Sequence, residues 1–220
     1  MKRRPPPPRP PTPAPPPPSV EGKLAVYAGK RNFAVTPEPP TEALAPSGDG
    51  PPRFMIHKHD ARRLHYDLRL EIEGALASWA VPNGPSFDPE VKRLAVETED
   101  HPLAYAAFEG RIPDGEYGAG EALVWDRGLY ETIPPGRAVE MRGKGHLDIL
   151  LLGEKLKGRW HLVRTRGAGA AGKSRAGSGR PQWLLMKAKD EYASADYDVG
   201  VERPESVLSG RRLGRDPAPG

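Results

Sequence analysis

From Arg63 to Glu71 the chain alternates strictly: Leu64, Tyr66, Leu68 and Leu70 are separated by His65, Asp67, Arg69 and Glu71. Successive side chains of a strand point to opposite faces, so a period of two predicts a β-strand with one face in an apolar core. Phe54 to His57 leads into it, and Glu73–Gly74 has the composition of a tight turn into ALASWAVP. Further on, KRLAVETED alternates again, and EALVWDRGLYETI predicts two strands around Asp126-Arg127-Gly128. HLDILLLGEKLKGRWHLVRTR predicts another hairpin and QWLLMKAKD a last strand. No segment sustains a helical period of 3.6, apart from a short helix expected at the start of LAVYAGKRNFAVTPEPP, which then runs out as an extended arm. The predicted class is all-β, a barrel or sandwich of short antiparallel strands with glycine-rich turns.

Composition sets the limits of that domain. Of 28 prolines, eleven fall within the first 18 residues, a low-complexity tail that cannot build a core and favours an extended polyproline conformation. The predicted organisation is a disordered proline-rich basic tail over 1–20, an arm and linker over 21–52, a barrel over 53–200 with a flexible glycine-rich insert at 167–181, and a disordered C-terminal tail over 201–220. The net charge of +4 comes from Lys2, Arg3, Arg4 and Arg9 in a tail without acidic residues, so the remaining chain is neutral. The basic balance therefore says nothing about the partner of the folded part. The absence of cysteine excludes disulfides and thiolate zinc sites and fits a reducing cytoplasm. The longest apolar run, Ile149–Leu152, is too short to span a membrane, and no apolar secretory stretch opens the chain. A soluble protein is expected.

Gly167 to Ser174 matches the G-x-x-x-x-G-K-[ST] phosphate loop letter for letter. That loop works only between a buried strand and a helix whose first amides hold the phosphates. Here the preceding strand alternates charged residues and RAGSGRPQ follows, so no nucleotide site is expected.

The polar face of the first strand has more chemical content. His65 and Asp67 share it by parity, and His59 can join them if the chain bends between; together they are the residue types of a two-histidine, one-carboxylate metal site for zinc, iron or manganese. Arg69 follows on the same face, with a planar fork suited to phosphate or carboxylate. Arg93 and His101 are further polar residues amid apolar ones. For Tyr105 and Tyr117 the pattern alone favours packing.

RFMIHKHDARRLHYDLRLEIEGALASWAVPNGPS, EDHPLAYAAFEGRIPDGEYGAGEALVWDRGLYE and WLLMKAKDEYA resemble the 3′-phosphoesterase domain of bacterial DNA ligase D and its free-standing relatives, and YAGKRNFAVTPEP resembles the arm that precedes it. The resemblance runs from about Leu24 to Tyr192, without the insert. It implies a compact antiparallel β-barrel and a manganese enzyme, other divalent metals being allowed. Such an enzyme heals DNA 3′ ends, removing a terminal ribonucleoside and then the 3′-phosphate to leave a 3′-hydroxyl. By motif, His59, His65 and Asp67 would hold the metal, Arg69 and Arg93 would grip the phosphate, and His101 would meet the reacting phosphate with Tyr105 beside it. Arg31 and Glu38 in the arm match positions used in the ribonuclease step. The implied setting is cytoplasmic and nucleoid-associated, with primer–template ends, the polymerase and ligase parts of DNA ligase D, and Ku as partners. No polymerase or ligase module is recognisable, so a free-standing enzyme is expected.

Three positions depart from the family pattern. Asn83 stands where lysine is usual, Asn32 where ligase-linked members have aspartate, and His57 where glutamine is common. Lys92 could compensate for Asn83. These changes predict that phosphatase activity survives more surely than ribonucleoside removal. They also motivate an alternative, a catalytically weak DNA-end-binding module. A ferrous oxygenase on a barrel uses the same ligand types but leaves Arg69, Arg93 and His101 without a job.

Overall fold

The structure, a computed structural model, describes residues 19–41, 50–165, 179–214 and Asp216. The proline-rich tail, the phosphate-loop match at Gly167–Ser174 and the last four residues lie outside the described residues. Among the described residues there are ten strands: β1 (Arg53–Asp60), β2 (Leu64–Ile72), β3 (Ala75–Val81), β4 (Arg93–Glu97), β5 (His101–Pro102), β6 (Gly110–Ile112), β7 (Gly120–Thr132), β8 (His146–Gly153), β9 (Lys157–Arg164) and β10 (Gln182–Lys187). Eight of them close a barrel in the order β1-β2-β3-β4-β10-β9-β8-β7, and β7 returns to pair with β1; β5 and β6 are short additions at the side. All pairings are antiparallel. Closure removes the open edges that a flat sheet would leave. No helix among the described residues is long and apolar enough to cross a membrane.

The alternation of the first strand is realised as expected. Leu68 and Leu70 point into the barrel with Phe54 and Ile56 from β1, and all four tryptophans, Trp79, Trp125, Trp160 and Trp183, are buried in the same core. Each such aliphatic side chain contributes about 1.5–3 kcal/mol on leaving water. The turn from β2 to β3 is two residues long, Glu73 and Gly74, both at positive φ (49° and 76°), the geometry that matches strand twist. A second small core lies outside the barrel wall, where Tyr27, Met55, Leu76, Leu103 and Tyr105 pack together. Tyr27 comes from the last turn of helix α1 (Val20–Ala28), so the arm is bound to the barrel through the end of that helix.

Three expectations are corrected. EALVWDRGLYETI is one strand of 13 residues, β7, not two. Asp126 is fully buried, and its carboxylate accepts the backbone N–H groups of Lys155 (2.9 Å) and Leu156 (2.8 Å) in the β8–β9 turn. Gly128 lets β8 approach closely, since a Cβ there would stand 2.2 Å from the Leu152 carbonyl oxygen. Residues of turn composition are thus used for tertiary contacts. Nor is 201–214 with Asp216 a loose tail. Leu213 joins the barrel core, Val207 N–H donates to the Val124 carbonyl (2.9 Å), and Asp216 pairs with Lys58, a buried ammonium that needs a carboxylate partner. Finally, a short helix, α2 (Ala138–Lys144), lies between β7 and β8. Its Arg142 bridges Glu97 (2.9 Å) and Asp100 (2.7 Å) over the barrel rim.

Candidate active site

The β1–β2 hairpin decides the geometry. Its register sets His59 directly opposite His65 and His57 opposite Asp67, so the bend that the sequence leaves open is the three-residue turn after Asp60. The rings of His59 and His65 are 4.8 Å apart. His59 Nδ1 lies 3.9 Å from one Asp67 oxygen and His65 Nε2 3.6 Å from the other. One ligand atom from each of the three residues falls within 4.8 Å of the others.

Tautomers follow from the partners. His65 Nδ1 donates to the Arg63 carbonyl (2.9 Å), which leaves its Nε2 with a lone pair facing the carboxylate. His59 Nε2 is buried and has no hydrogen-bond partner. Burial lowers the pKa of His59 and keeps that ring neutral. Burial would raise the Asp67 pKa, but Arg69 and the three nearby imidazoles outweigh it and hold the carboxyl below its ordinary value. Two imidazoles and an ionised carboxylate, converging with one ligand atom each within 4.8 Å, form a donor set that a divalent cation fits.

Behind Asp67 the guanidinium of Arg69 is engaged through each of its three nitrogens. It donates to Asp67 (3.1 Å), to Ser78 Oγ (2.8 Å) and to His57 Nδ1 (3.3 Å). His57 is driven down to a pKa of about 3 by burial and by Arg69, so it accepts as a neutral ring. Arg69 also sits 4.8 Å from the Tyr105 ring centre.

The arm completes the opposite wall. Arg31 stacks 3.8 Å over Tyr27 and donates to Glu38 (3.1 Å), Glu99 (3.2 Å) and His101 Nε2 (3.2 Å). Glu38 also accepts from Thr36 Oγ1 (2.9 Å) and the Tyr105 hydroxyl (3.0 Å). His101 Nδ1 donates to the Glu99 carbonyl (2.9 Å), so its Nε2 carries the lone pair that Arg31 meets. Burial, then the positive charges of Arg69 and Arg31, hold His101 well below the usual histidine range. Burial raises Tyr105, which is therefore a hydroxyl donor.

His59, His65, Asp67, Arg69, His101, Tyr105, Arg31 and Glu38 thus line one cleft. Arg93 and Asn83 do not line it. Arg93 lines a separate pocket with Ser86, Asp88, Asp196 and Tyr197, and Asn83 is exposed in the turn after β3. Asn32 is exposed too, and its side chain accepts the Ala34 N–H (3.2 Å), a turn contact that an aspartate makes equally well. Residues given no site role from the sequence also stand in the cleft. Glu99 anchors the arm through Lys30 (2.8 Å) and Arg31, and Tyr117 and Arg180 reach the rim. Glu99 lies two residues before His101 in a segment already marked by polar residues among apolar ones, a usable signal. Tyr117, which the pattern assigned to packing, is instead exposed at the rim, and Arg180 fell inside the expected insert.

The DNA Ligase D 3′-phosphoesterase domain matches residues 57–164. The chain is 54% identical over 192 residues to the multifunctional non-homologous end joining protein LigD of Pseudomonas aeruginosa, covering 86% of this chain and 22% of that protein. It is 40% identical over 183 residues to the LigD of Mycolicibacterium smegmatis (81% and 22%). It is 45% identical over 195 residues to the multifunctional non-homologous end joining DNA repair protein LigD of Mycobacterium tuberculosis (89% and 24%). The chain spans less than a quarter of the length of these relatives.

Proposed function

The chain belongs to the DNA ligase D 3′-phosphoesterase domain family, and from that premise we propose that it is a metal-dependent hydrolase that heals DNA 3′ ends for end joining. In this reading it removes a 3′-phosphate, and a 3′-terminal ribonucleoside before it, to leave a 3′-hydroxyl. The observation that carries the proposal is the convergence of His59, His65 and Asp67 in the cleft that also holds Arg31, Arg69 and His101.

His59, His65 and Asp67 would hold the cation, manganese in this reading. A bound divalent ion draws charge from a non-bridging phosphate oxygen and acidifies water. Arg69 keeps Asp67 ionised and lends its remaining N–H capacity to the phosphate side. Arg31, fixed by Glu38 and Glu99, is the second guanidinium available to the oxygens that gain charge. Glu38 is a positioning residue, since it orients Arg31 and the Tyr105 hydroxyl. His101 rests neutral because burial, and then two guanidiniums, oppose its protonation. An arriving phosphate dianion supplies the missing negative charge, Arg31 turns to the phosphate, and Nε2 takes a proton from solvent; as water bonds to phosphorus and the P–O bond to the 3′ oxygen breaks, Nε2 gives that proton to the leaving oxygen. The polymerase and ligase parts of DNA ligase D, and Ku, are the partners proposed for a repair complex.

The test uses a labelled primer–template ending in a 3′-phosphate or a single 3′-ribonucleotide, with manganese or chelator, and His65→Ala alongside. Manganese-dependent formation of a 3′-hydroxyl end, lost in the variant, is the expected result. Tight binding of the primer with no product across several divalent metals would replace the enzyme with an end-binding module.

A further inference from the structure

Most of the cleft wall is buried side chain, but at its rim Tyr117 leaves 42% of its surface exposed. Lys30 Nζ stands 4.5 Å from its ring centre. The Tyr117 hydroxyl accepts from Arg180 (2.9 Å) and Lys30 (3.4 Å). Three segments distant in sequence meet here: the residues after α1, the loop between β6 and β7, and the approach to β10. Beneath them Glu99, almost fully buried, takes Lys30 at 2.8 Å and Arg180 at 3.9 Å.

Packing alone would bury the aromatic ring, and an ion pair with Glu99 does not require one. The side chains of Lys30 and Arg180 remain 26% and 33% exposed, so either can swing outward without opening the core. Three cations line the cleft, Arg31, Arg69 and Arg180, against three carboxylates, Glu38, Asp67 and Glu99, and Lys30, paired with Glu99 beside the rim, adds a fourth cation. The surplus is positive before any metal arrives. An exposed ring flanked by two movable cations beside a phosphate-sized cleft has the chemistry of a single-strand contact: a π-face for a base and positive charge for the backbone.

We propose that Tyr117, Lys30 and Arg180 dock the primer strand as it enters the cleft. Tyr117 stacks on the base of the nucleotide whose 3′ oxygen carries the reacting phosphate, and Lys30 and Arg180 bind the phosphodiester on its 5′ side. The identity of the strand rests on the phosphoesterase reading.

The experiment is fluorescence anisotropy with the full chain, a 5′-labelled primer–template ending in 3′-phosphate, and chelator present throughout. Tyr117→Ala weakens binding about tenfold and Tyr117→Phe less than about twofold, the scale of one stacked base. Lys30→Ala and Arg180→Ala each reduce the slope of log affinity against log salt by about one. Wild-type protein that fails to bind, Tyr117→Ala binding as wild type does, or Tyr117→Phe as weak as Tyr117→Ala, overturns the proposal; the last result would mean a hydroxyl-held loop. The two readings separate cleanly. A tenfold loss in Tyr117→Ala with a wild-type protein that turns nothing over keeps the docking contact and ends the phosphatase. Wild-type turnover with unchanged Tyr117→Ala binding does the reverse.

Discussion

Asp67 on β2 and Asp126 on β7 are both carboxylates buried in the barrel wall, yet their surroundings treat them in opposite ways. Asp126 accepts backbone N–H groups from Lys155 and Leu156, and burial still pushes its pKa up to about 6. Amide dipoles satisfy its oxygens without supplying a full opposing charge. Asp67 is held by the Arg69 guanidinium and faces His59 and His65, and its pKa lies below the ordinary value despite burial. One carboxylate is spent on tying two hairpins together. The other is kept ionised at a place where two imidazole lone pairs also point, which is what a cation site requires. Burial of an acid therefore does not mark function; the sign of the charges around it does.

Substitutions can break this contrast, and the largest effect belongs to the charge. Asp67→Asn keeps the shape and removes the ionised ligand. Divalent-ion affinity by calorimetry should fall by at least about a hundredfold, since even residues outside the ligand shell cost 10–100-fold, and 3′-phosphate removal should vanish with it. Retained affinity would mean that Asp67 is as architectural as Asp126.

Asp126→Ala should act on stability instead. Two buried N–H groups lose their acceptor, costing about 3 kcal/mol in denaturant unfolding at pH 4, with divalent-ion affinity of the folded protein unchanged.

The pH dependence of that cost sharpens the point. The folded pKa of Asp126 is raised from 3.8 to about 6, so its contribution to stability is complete below the unfolded value and is lost as pH rises through about 6. The penalty of Asp126→Ala should thus shrink between pH 4 and pH 7, by at most about 3 kcal/mol for a shift of that size. A penalty that grows with pH would show that the carboxylate is ionised at no cost, as Asp67 is.

The smallest effect is expected at Asn83→Lys. The position is exposed and outside the cleft, so restoring the family's lysine should change 3′-phosphate removal by less than about threefold, in keeping with a surface substitution.

Much of this was legible in the chain. The alternation of Leu64 to Glu71 located the barrel wall, and Glu73–Gly74 the turn. Asp126-Arg127-Gly128 misled because aspartate and glycine have turn chemistry, whereas here the carboxylate serves another hairpin and the glycine a close strand approach. The segment after 200 misled because its composition is that of a tail, and only the buried Lys58 explains why Asp216 stays on the barrel. In the cleft, residue types were readable and their company was not. Arg93 had the chemistry of a phosphate ligand and lines another pocket, while Tyr117 and Arg180 had none to advertise and stand at the rim.

By itself the sequence determined parity and chemistry: which side chains share a face of β2, and that His65, Asp67 and Arg69 are a ligand set with a guanidinium behind it. Both are properties of a few covalently linked residues. Only the tertiary structure decided that His59 lies opposite His65, that the arm delivers Arg31 and Glu38 to His101 and Tyr105, and that Glu99 and Arg180 join them. Those facts depend on hairpin register and barrel closure, which arise from packing summed over the whole core rather than from any local run of residues.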